Sequence, residues 1–435
     1  MSNYRITIPN YRAIENATIL NEGLTIIAGE NGCGKSTFSR MVYYMVNIMC
    51  NFSGYVFRNT LRDVKNTVSR LSDALTQTTN RPEIRVLVRN KQKELSSSKD
   101  FDQLEVNMMS MLDDYKPVLL KFFDSENDLK RRQRILDFLE VKSKSNSPDE
   151  LAFACLDSIE RSCHSIISKA QQDIDAKKRK VLIDYIQTNG TDLLDFPKDI
   201  KFKEDGVDLI TSKNFNIPLS LRRAIYIDTP MAVNDNFNFS TTYWDSLSVL
   251  LNQDEVEGTI YEKKLLYRLH SILHGDIKVE KDKFTADSKL RYLREDGLEI
   301  DLVNAATGIK SFAYLQKLLA NGLLKGDTML LIDEPEAHLH PQWIVEFARI
   351  LVLLNKELGV KVMITSHNPD MVAAIQKIAK KENLLECTHF YLAEKSQANK
   401  FQYRYLDLGQ NIGPIFESFN IALTRIEEYG DDSSL

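Results

Sequence analysis

Between an apolar run, Leu24–Ala28, and an amphipathic one, Phe38–Met49, the chain places Gly29-Glu30-Asn31-Gly32-Cys33-Gly34-Lys35-Ser36-Thr37. The first run is short and β-prone, and the second carries Met41, Val42, Met45, Val46 and Ile48 at helical spacing. A strand, a glycine loop and a helix in this order constrain the fold, because small residues let successive backbone N–H groups turn inward while the helix presents its positive end to the same point. That is a phosphate cradle. Gly29, Gly32 and Gly34 supply the backbone freedom, Lys35 is placed to bridge the β- and γ-phosphates of ATP, and Ser36 to offer its hydroxyl to Mg2+.

Three hundred residues later the apolar run Thr328–Ile332 delivers Asp333 and Glu334 to its end. A carboxylate at the end of a buried strand is the station for holding Mg2+ through water, and Glu334 beside it is placed to orient the attacking water. Adjacent carboxylates repel, so the pair calls for a compensating cation. A third strand, Lys361–Thr365, runs into Ser366-His367, and an imidazole at that end can reach a γ-phosphate from the side opposite Lys35. Lys35, Glu334 and His367 are the catalytic candidates, and Ser36 and Asp333 the metal-holding ones.

The rest of the chain frames these motifs. With 43% hydrophobic and 27% charged residues and a net charge of -5, it reads as a globular protein without a bulk attraction to nucleic acid. Five cysteines without a Cys-x-x-Cys pair, one of them Cys33 in the glycine loop, point to reduced thiols in the cytoplasm. Ile344–Leu354 is interrupted by Glu346 and Arg349, so no membrane segment is expected. Short β-prone runs at Tyr4–Ile8 and Ala17–Leu20 precede the loop strand. Residues 46–215 are charged and helix-prone, and Leu151–Gln187, if unbroken, spans about 55 Å at 1.5 Å per residue. After Arg223–Ile227, strand-like runs recur at Asp276–Val279, Leu290–Leu293 and Leu298–Leu302, then helix and strand alternate to Thr365, which suggests a mostly parallel sheet. His389–Ala393 and Phe401–Leu408 form an expected strand pair, and Pro414–Glu428 an expected closing helix.

The order of the three motifs resembles the ABC-type ATPase class. Asn31-Gly32 within the loop and Glu334-Pro335-Glu336-Ala337-His338-Leu339-His340-Pro341 resemble the SMC/RecF-like and OLD-like ATPases, including ATPase subunits of bacterial anti-phage systems such as Septu and PARIS. The resemblance covers residues 1–45 and roughly 220–375. It implies an α/β fold, a P-loop ABC-type ATPase head with an antiparallel N-terminal subdomain and a mainly α-helical insertion. The head would comprise residues 1–45 and 216–435, and the insertion residues 46–215. The class carries a signature segment before its second carboxylate motif. Here the candidate is Ala306-Thr307-Gly308-Ile309-Lys310-Ser311, with Thr307, Gly308 and Lys310 implied to contact ATP held by a second subunit; a helix N-cap at Thr307 or Ser311 is the plainer alternative. Ala337–His340 matches the segment that faces that partner.

The resemblance thus implies a homo-oligomer joined through an ATP sandwich and a separate effector, a nuclease or toxin. A DNA clamp of the RecF/SMC type is the alternative, and an ATP-gated scaffold a third. The clusters Lys130-Arg131-Arg132 and Lys177-Lys178-Arg179-Lys180 keep nucleic acid or an acidic partner open against a plain solvated face. His338 with His340 could be taken for a metal site beside Asp333, but their place in the segment that would face the partner makes packing the expected role; His270 and His274 stand one helical turn apart without an evident third ligand, so a solvated helix face is expected.

Overall fold

The computed structural model describes residues 2–79, 81–125, 129–141, 147–189, 196–197, 199–228, 243–281 and 288–417. The chain forms two compact units, Met1–Asn51 with Arg179–Leu435, and Phe52–Lys178.

The first unit opens with β1 (Tyr4–Tyr11) and β2 (Ile14–Asn21), an antiparallel hairpin whose residues largely alternate between core and surface. β3 (Leu24–Gly29) is buried at every position, as a strand covered on both faces must be. It leads through the glycine loop into α1 (Lys35–Cys50), which buries Phe38, Met41, Val42, Met45 and Met49.

The second unit is helical: α2 (Phe52–Thr79), α3 (Pro82–Ser96), α4 (Phe101–Ser125), α5 (Leu129–Phe138) and α6 (Pro148–Ala176). Val64, Val68, Leu71 and Leu75 of α2 meet Leu104, Met108, Met111 and Tyr115 of α4 and Cys155, Ile159, Cys163 and Ile167 of α6. Steps of three and four along each helix build this core.

The single helix expected over 151–187 breaks at Lys177, which ends α6 in the left-handed conformation at φ 44°. Two residues on, the Arg179 N–H donates to the Lys213 carbonyl (2.8 Å), and α7 (Arg179–Asn189) belongs to the first unit. So does β4 (Lys201–Glu204), which pairs antiparallel with β1, with β5 (Val207–Asp208) beside it. The helical unit is therefore 52–178, shorter than the 46–215 read from composition. The missing stretch is claimed by non-local pairing that composition does not register.

The remainder runs β6 (Arg223–Ile227), α8 (Tyr243–Leu251), α9 (Ile260–Leu273), β7 (Gly275–Lys281), β8 (Ser288–Arg294), β9 (Glu299–Asp301), α10 (Thr307–Ala320), β10 (Thr328–Asp333), α11 (Pro341–Leu358), β11 (Lys361–Ser366), α12 (Pro369–Lys381), β12 (Thr388–Lys395) and β13 (Tyr403–Asp407). Caps fix several boundaries: a Thr259–Glu262 capping box opens α9, Gly359 at φ 70° closes α11, and the Asn368 side chain accepts the first N–H groups of α12. The expected closing helix beyond residue 417 lies outside the described residues.

Ten strands form one sheet in the order β5-β4-β1-β2-β13-β12-β3-β11-β10-β6, and β7-β8-β9 form a second, antiparallel one. From β12 to β6 all neighbours are parallel. The other half is antiparallel except where β13 meets β2, so the large sheet is mixed rather than mostly parallel. This is an α/β fold with an antiparallel N-terminal part and a helical insertion. No helix among the described residues is long and apolar enough to cross a membrane.

The antiparallel edge is pinned by a buried carboxylate. Glu204 accepts from the Tyr4 hydroxyl (2.5 Å), the Leu219 N–H (2.7 Å), the Ser220 N–H (2.9 Å) and the Ser220 hydroxyl (2.8 Å). Burial pushes its carboxyl up, but these donors together hold it below the ordinary value. Glu204→Ala is expected to cost about 2–3 kcal/mol in urea unfolding at pH 7. A depressed carboxyl stabilises fully above its unfolded value of about 4.3 and loses that stabilisation as pH falls through the lower folded value. The gap between wild type and variant should therefore close below about pH 4.

Candidate functional site

β3, β11, β10 and β6 run parallel, so their carboxyl ends leave the same edge of the sheet. Their register aligns that edge closely: Ser366 lies opposite Ala28, Asp333 opposite Thr365, and Ile332 opposite Ile227. The glycine loop, Asp333-Glu334, Ser366-His367 and Asp228 all emerge there, where open α/β sheets place ligands.

Gly32 and Gly34 sit at φ 81° and 91°, the left-handed region that favours glycine. At Gly34 space agrees with conformation, since a Cβ would lie 2.9 Å from Ile14 Cγ1. α1 begins beyond it with no side-chain cap, so its leading N–H groups are left for a ligand or solvent. Lys35 is buried and lies along the loop, its Nζ donating to the carbonyls of Gly29 (2.8 Å) and Glu30 (2.9 Å). Cys33 is buried beside it, and burial pushes its thiol up, away from thiolate chemistry. Glu30, Asn31 and Gly32 are exposed at the loop's tip, with Glu30 paired to Lys395 at 3.0 Å. Thr37 follows Ser36 in the first turn of α1.

Asp333, 1% exposed, is gripped from both neighbouring strands. The Tyr226 hydroxyl on β6 donates to Oδ2 (2.6 Å), and the Thr365 hydroxyl on β11 to Oδ1 (2.8 Å). Burial pushes the carboxyl up, while hydrogen bonds from Tyr226, Ser36 and Thr365 pull the other way. Arg40, one turn past Ser36, donates to the Tyr226 oxygen (3.2 Å) and pairs with Asp228 (2.7 Å), which also accepts from Tyr243 (2.5 Å). A hydroxyl and a carboxylate, both hard oxygens, held together beside a phosphate cradle fit the donor set of Mg2+. Tyr226, Arg40, Asp228 and Thr365 are not evident from sequence, because only strand pairing brings them to Asp333. The single signal is Asp228 at the end of a β-prone run.

Glu334 occupies φ 45°, a left-handed conformation that costs a non-glycine residue energy. Its N–H donates to the Thr365 carbonyl (2.9 Å), fastening the turn to β11. Glu334 Oε1 lies 3.3 Å from His367 Nδ1. Glu336, also missed in the sequence, is buried behind them. Its Oε1 accepts from the Ser366 hydroxyl (2.7 Å) and the His367 N–H (3.0 Å) and lies 3.6 Å from His367 Nδ1. Burial pushes the Glu336 carboxyl up against those donors.

The signature-like segment opens α10. Its N-cap is Ala306, with no side-chain cap, and the Ser311 hydroxyl donates instead to the Thr307 carbonyl (3.2 Å). The N-cap alternative at Thr307 or Ser311 is therefore not what forms. Gly308 packs on the turn after β10, where a Cβ would stand 3.1 Å from Leu339 Cδ2. Lys310 Nζ donates to the Val303 carbonyl (2.6 Å). These contacts are with the Ala337–His340 turn and the preceding loop rather than with residues 29–37.

The paired histidines have other positions. His340 caps α11, its Nδ1 accepting from the Gln342 N–H (3.4 Å). His270 lies between Asp276 and Glu295, each 3.0 Å away, and these carboxylates push its imidazole up. His274 ends α9 at φ 51° and so leaves the helical face it was expected to share. The Lys130 and Arg131 side chains lie outside the described residues.

A glycine loop, a buried Asp and a Glu–His contact at the carboxyl edge of the parallel half of the sheet define a P-loop ATPase head. A family model described as "AAA domain, putative AbiEii toxin, Type IV TA system" matches residues 24–373, and the chain belongs to that family. It is 35% identical over 81 residues to the energy-coupling factor transporter ATP-binding protein EcfA2 of Clostridium perfringens, covering 18% of this chain and 28% of that protein. EcfA3 of the same species is 33% identical over 81 residues with the same coverage. The chain thus spans under a third of these relatives. Among solved structures it is similar to the Smc head domain with a coiled coil and joint from Pyrococcus yayanosii, at TM-score 0.38 and 10% identity over 97% of this chain and 100% of that one. The Smc head from Pyrococcus furiosus bound to the C-terminal domain of ScpA gives TM-score 0.35 and 10% identity, over 99% and 100%.

Removing the Tyr226 hydroxyl strips a donor from a buried carboxylate and an acceptor from Arg40. Tyr226→Phe is expected to lower unfolding free energy by about 1–3 kcal/mol, measured by urea titration; an unchanged midpoint would show that the contact carries no stability.

Proposed function

We propose that this chain binds and hydrolyses ATP with Mg2+ at a site that a second copy completes, and that it passes the resulting change to a separate effector, a nuclease or toxin, in cytoplasmic anti-phage defence. The observation that carries the catalytic part is the convergence, at one sheet edge, of Lys35, the Ser36–Asp333 pair and the Glu334–His367 contact.

Lys35 is held by two loop carbonyls, and exchanging them for phosphate oxygens requires little movement of a side chain already lying in the loop. The backbone of Gly29–Thr37 and the uncapped start of α1 surround the phosphates with N–H groups. Ser36 and Asp333 would hold Mg2+, which would supply positive charge against the transferred phosphoryl group. Tyr226 and Thr365 occupy Asp333 with donors and so fix which way its carboxylate faces. Glu334 orients the attacking water and accepts the proton that the water loses. His367 Nδ1 lies 3.3 Å from Glu334 Oε1 and 3.6 Å from Glu336 Oε1, so imidazole and carboxylates meet at the ends of two neighbouring strands.

The site in trans is supported by the start of α10. Thr307 and Gly308 begin a helix with no side-chain cap, and Lys310 lies one turn along, so a positive helix end is available to a phosphate held by another subunit. Gly308 rests on the Ala337–His340 turn, which ties that surface to Glu334. The effector reading is supported by the family description, which names a toxin system.

Glu334→Gln is expected to bind ATP as wild type does, to lose at least about 100-fold in turnover, and to accumulate an ATP-dependent oligomer on size exclusion. Wild-type turnover in this variant would remove the catalytic assignment. Chelation with EDTA should stop hydrolysis. Specific activity should fall on dilution, and a rate independent of concentration in a proven monomer would sink the shared site. ATP-stimulated, salt-dependent DNA binding would replace the effector reading by a DNA clamp.

A further inference from the structure

The Glu336 side chain is 2% exposed, and among the described residues no lysine or arginine forms a salt bridge with it. Oε1 takes the Ser366 hydroxyl and the His367 N–H, while Oε2 has no hydrogen-bond partner among the described residues. Burying a carboxylate so incompletely satisfied costs several kcal/mol, on the order of the penalty for an unpaired ion. Glutamine or a small apolar residue would fill the space without it.

What that cost secures is local and specific. Glu336 lies two residues from Glu334 in the turn after β10, and it grips the two residues that carry the imidazole out of β11. Backbone bonds close the same turn: Glu334 N–H to the Thr365 carbonyl (2.9 Å), Ala337 N–H to the Glu334 carbonyl (2.9 Å) and Leu339 N–H to the Glu336 carbonyl (3.0 Å). Glu334 and His367 come from different strands and are both partly exposed, with side chains 27% and 41% accessible. Nothing in their own 3.3 Å contact would hold two solvated side chains in one geometry. The buried carboxylate beneath them does.

We propose that Glu336 is a positioning residue of the ATP site. Its carboxylate clamps the Ser366–His367 backbone to the turn bearing Glu334, so that the imidazole and the Glu334 carboxylate are presented as one rigid pair. The inference rests on the ATPase reading above. Glu336 touches no reacting atom; it acts through His367. Removing its charge should therefore slow the chemical step and leave nucleotide binding, which lies with Lys35 and the glycine loop, intact.

The test is a double-mutant cycle on the full chain with MgATP. Glu336→Gln keeps the shape and one oxygen acceptor, and it is expected to lower kcat about tenfold with KM changed less than about twofold. Glu336→Ala should lower kcat further, by about 100-fold. In a His367→Ala background, Glu336→Gln should change kcat by less than about twofold, because the residue it serves is gone. Binding of a fluorescent ATP analogue and the thermal midpoint show whether each variant is folded, and the isosteric Gln variant carries the test if Ala does not fold. An active wild type whose two substitutions multiply independently overturns the positioning role alone. A wild type that binds ATP without hydrolysing it overturns the ATPase reading and this one with it.

Discussion

The carboxylate of Asp333 sits 1% exposed between two hydroxyls, and the order of the central strands follows from what it needs. A buried carboxylate must be supplied with donors. Tyr226 and Thr365 supply them only if β6 and β11 flank β10 in parallel and in this register. A one-residue slip of either strand would turn its hydroxyl to the opposite face of the sheet. Arg40 extends the constraint into α1 by fixing the Tyr226 oxygen and Asp228 at once. The helix that follows the glycine loop is thereby tied to β6, which lies beyond the helical unit in the chain.

Polar burial of this kind recurs where the chain must join distant segments. Glu204 fastens β4 and the 219–220 segment to Tyr4 on the first strand, some 200 residues away. Glu336 fastens the turn after β10 to the end of β11. Each arrangement is costly unless nearly all partners are present, and so each excludes neighbouring packings more sharply than apolar contact alone. The apolar core beneath, with Ile26, Leu330, Ile332, Val362, Ile364 and Phe390 from the parallel strands, supplies adhesion without fixing register to the same degree.

Much of the central sheet was legible because its strands are buried on both faces and therefore appear as continuous apolar runs. Leu24–Ala28, Thr328–Ile332 and Lys361–Thr365 are such runs, and the helices between them carry the 3.6-residue period. Lys201–Glu204 was not legible: four residues with one large apolar side chain become a strand only because β1 offers them an edge. The break at Lys177 was hidden for the opposite reason, since helix-favouring residues continue through it and a carbonyl from residue 213 decides the matter. At the candidate site, Lys35, Ser36, Asp333, Glu334 and His367 stood out because local motifs carry them. Tyr226, Arg40 and Glu336 did not, because their importance lies in what they touch.

The sequence by itself determined the local pieces: a glycine loop between strand and helix, an apolar strand ending in two carboxylates, and a strand ending in Ser366-His367. These follow from periodicity and backbone freedom, which act over a few residues. Only the tertiary structure decided that the first and last thirds of the chain share one mixed sheet, with β12 and β13 inserted between β2 and β3. It alone set Glu334 against His367 and placed Glu336 beneath them. Pairing across hundreds of residues is chosen by the joint satisfaction of many buried groups, and no single stretch of sequence contains that information.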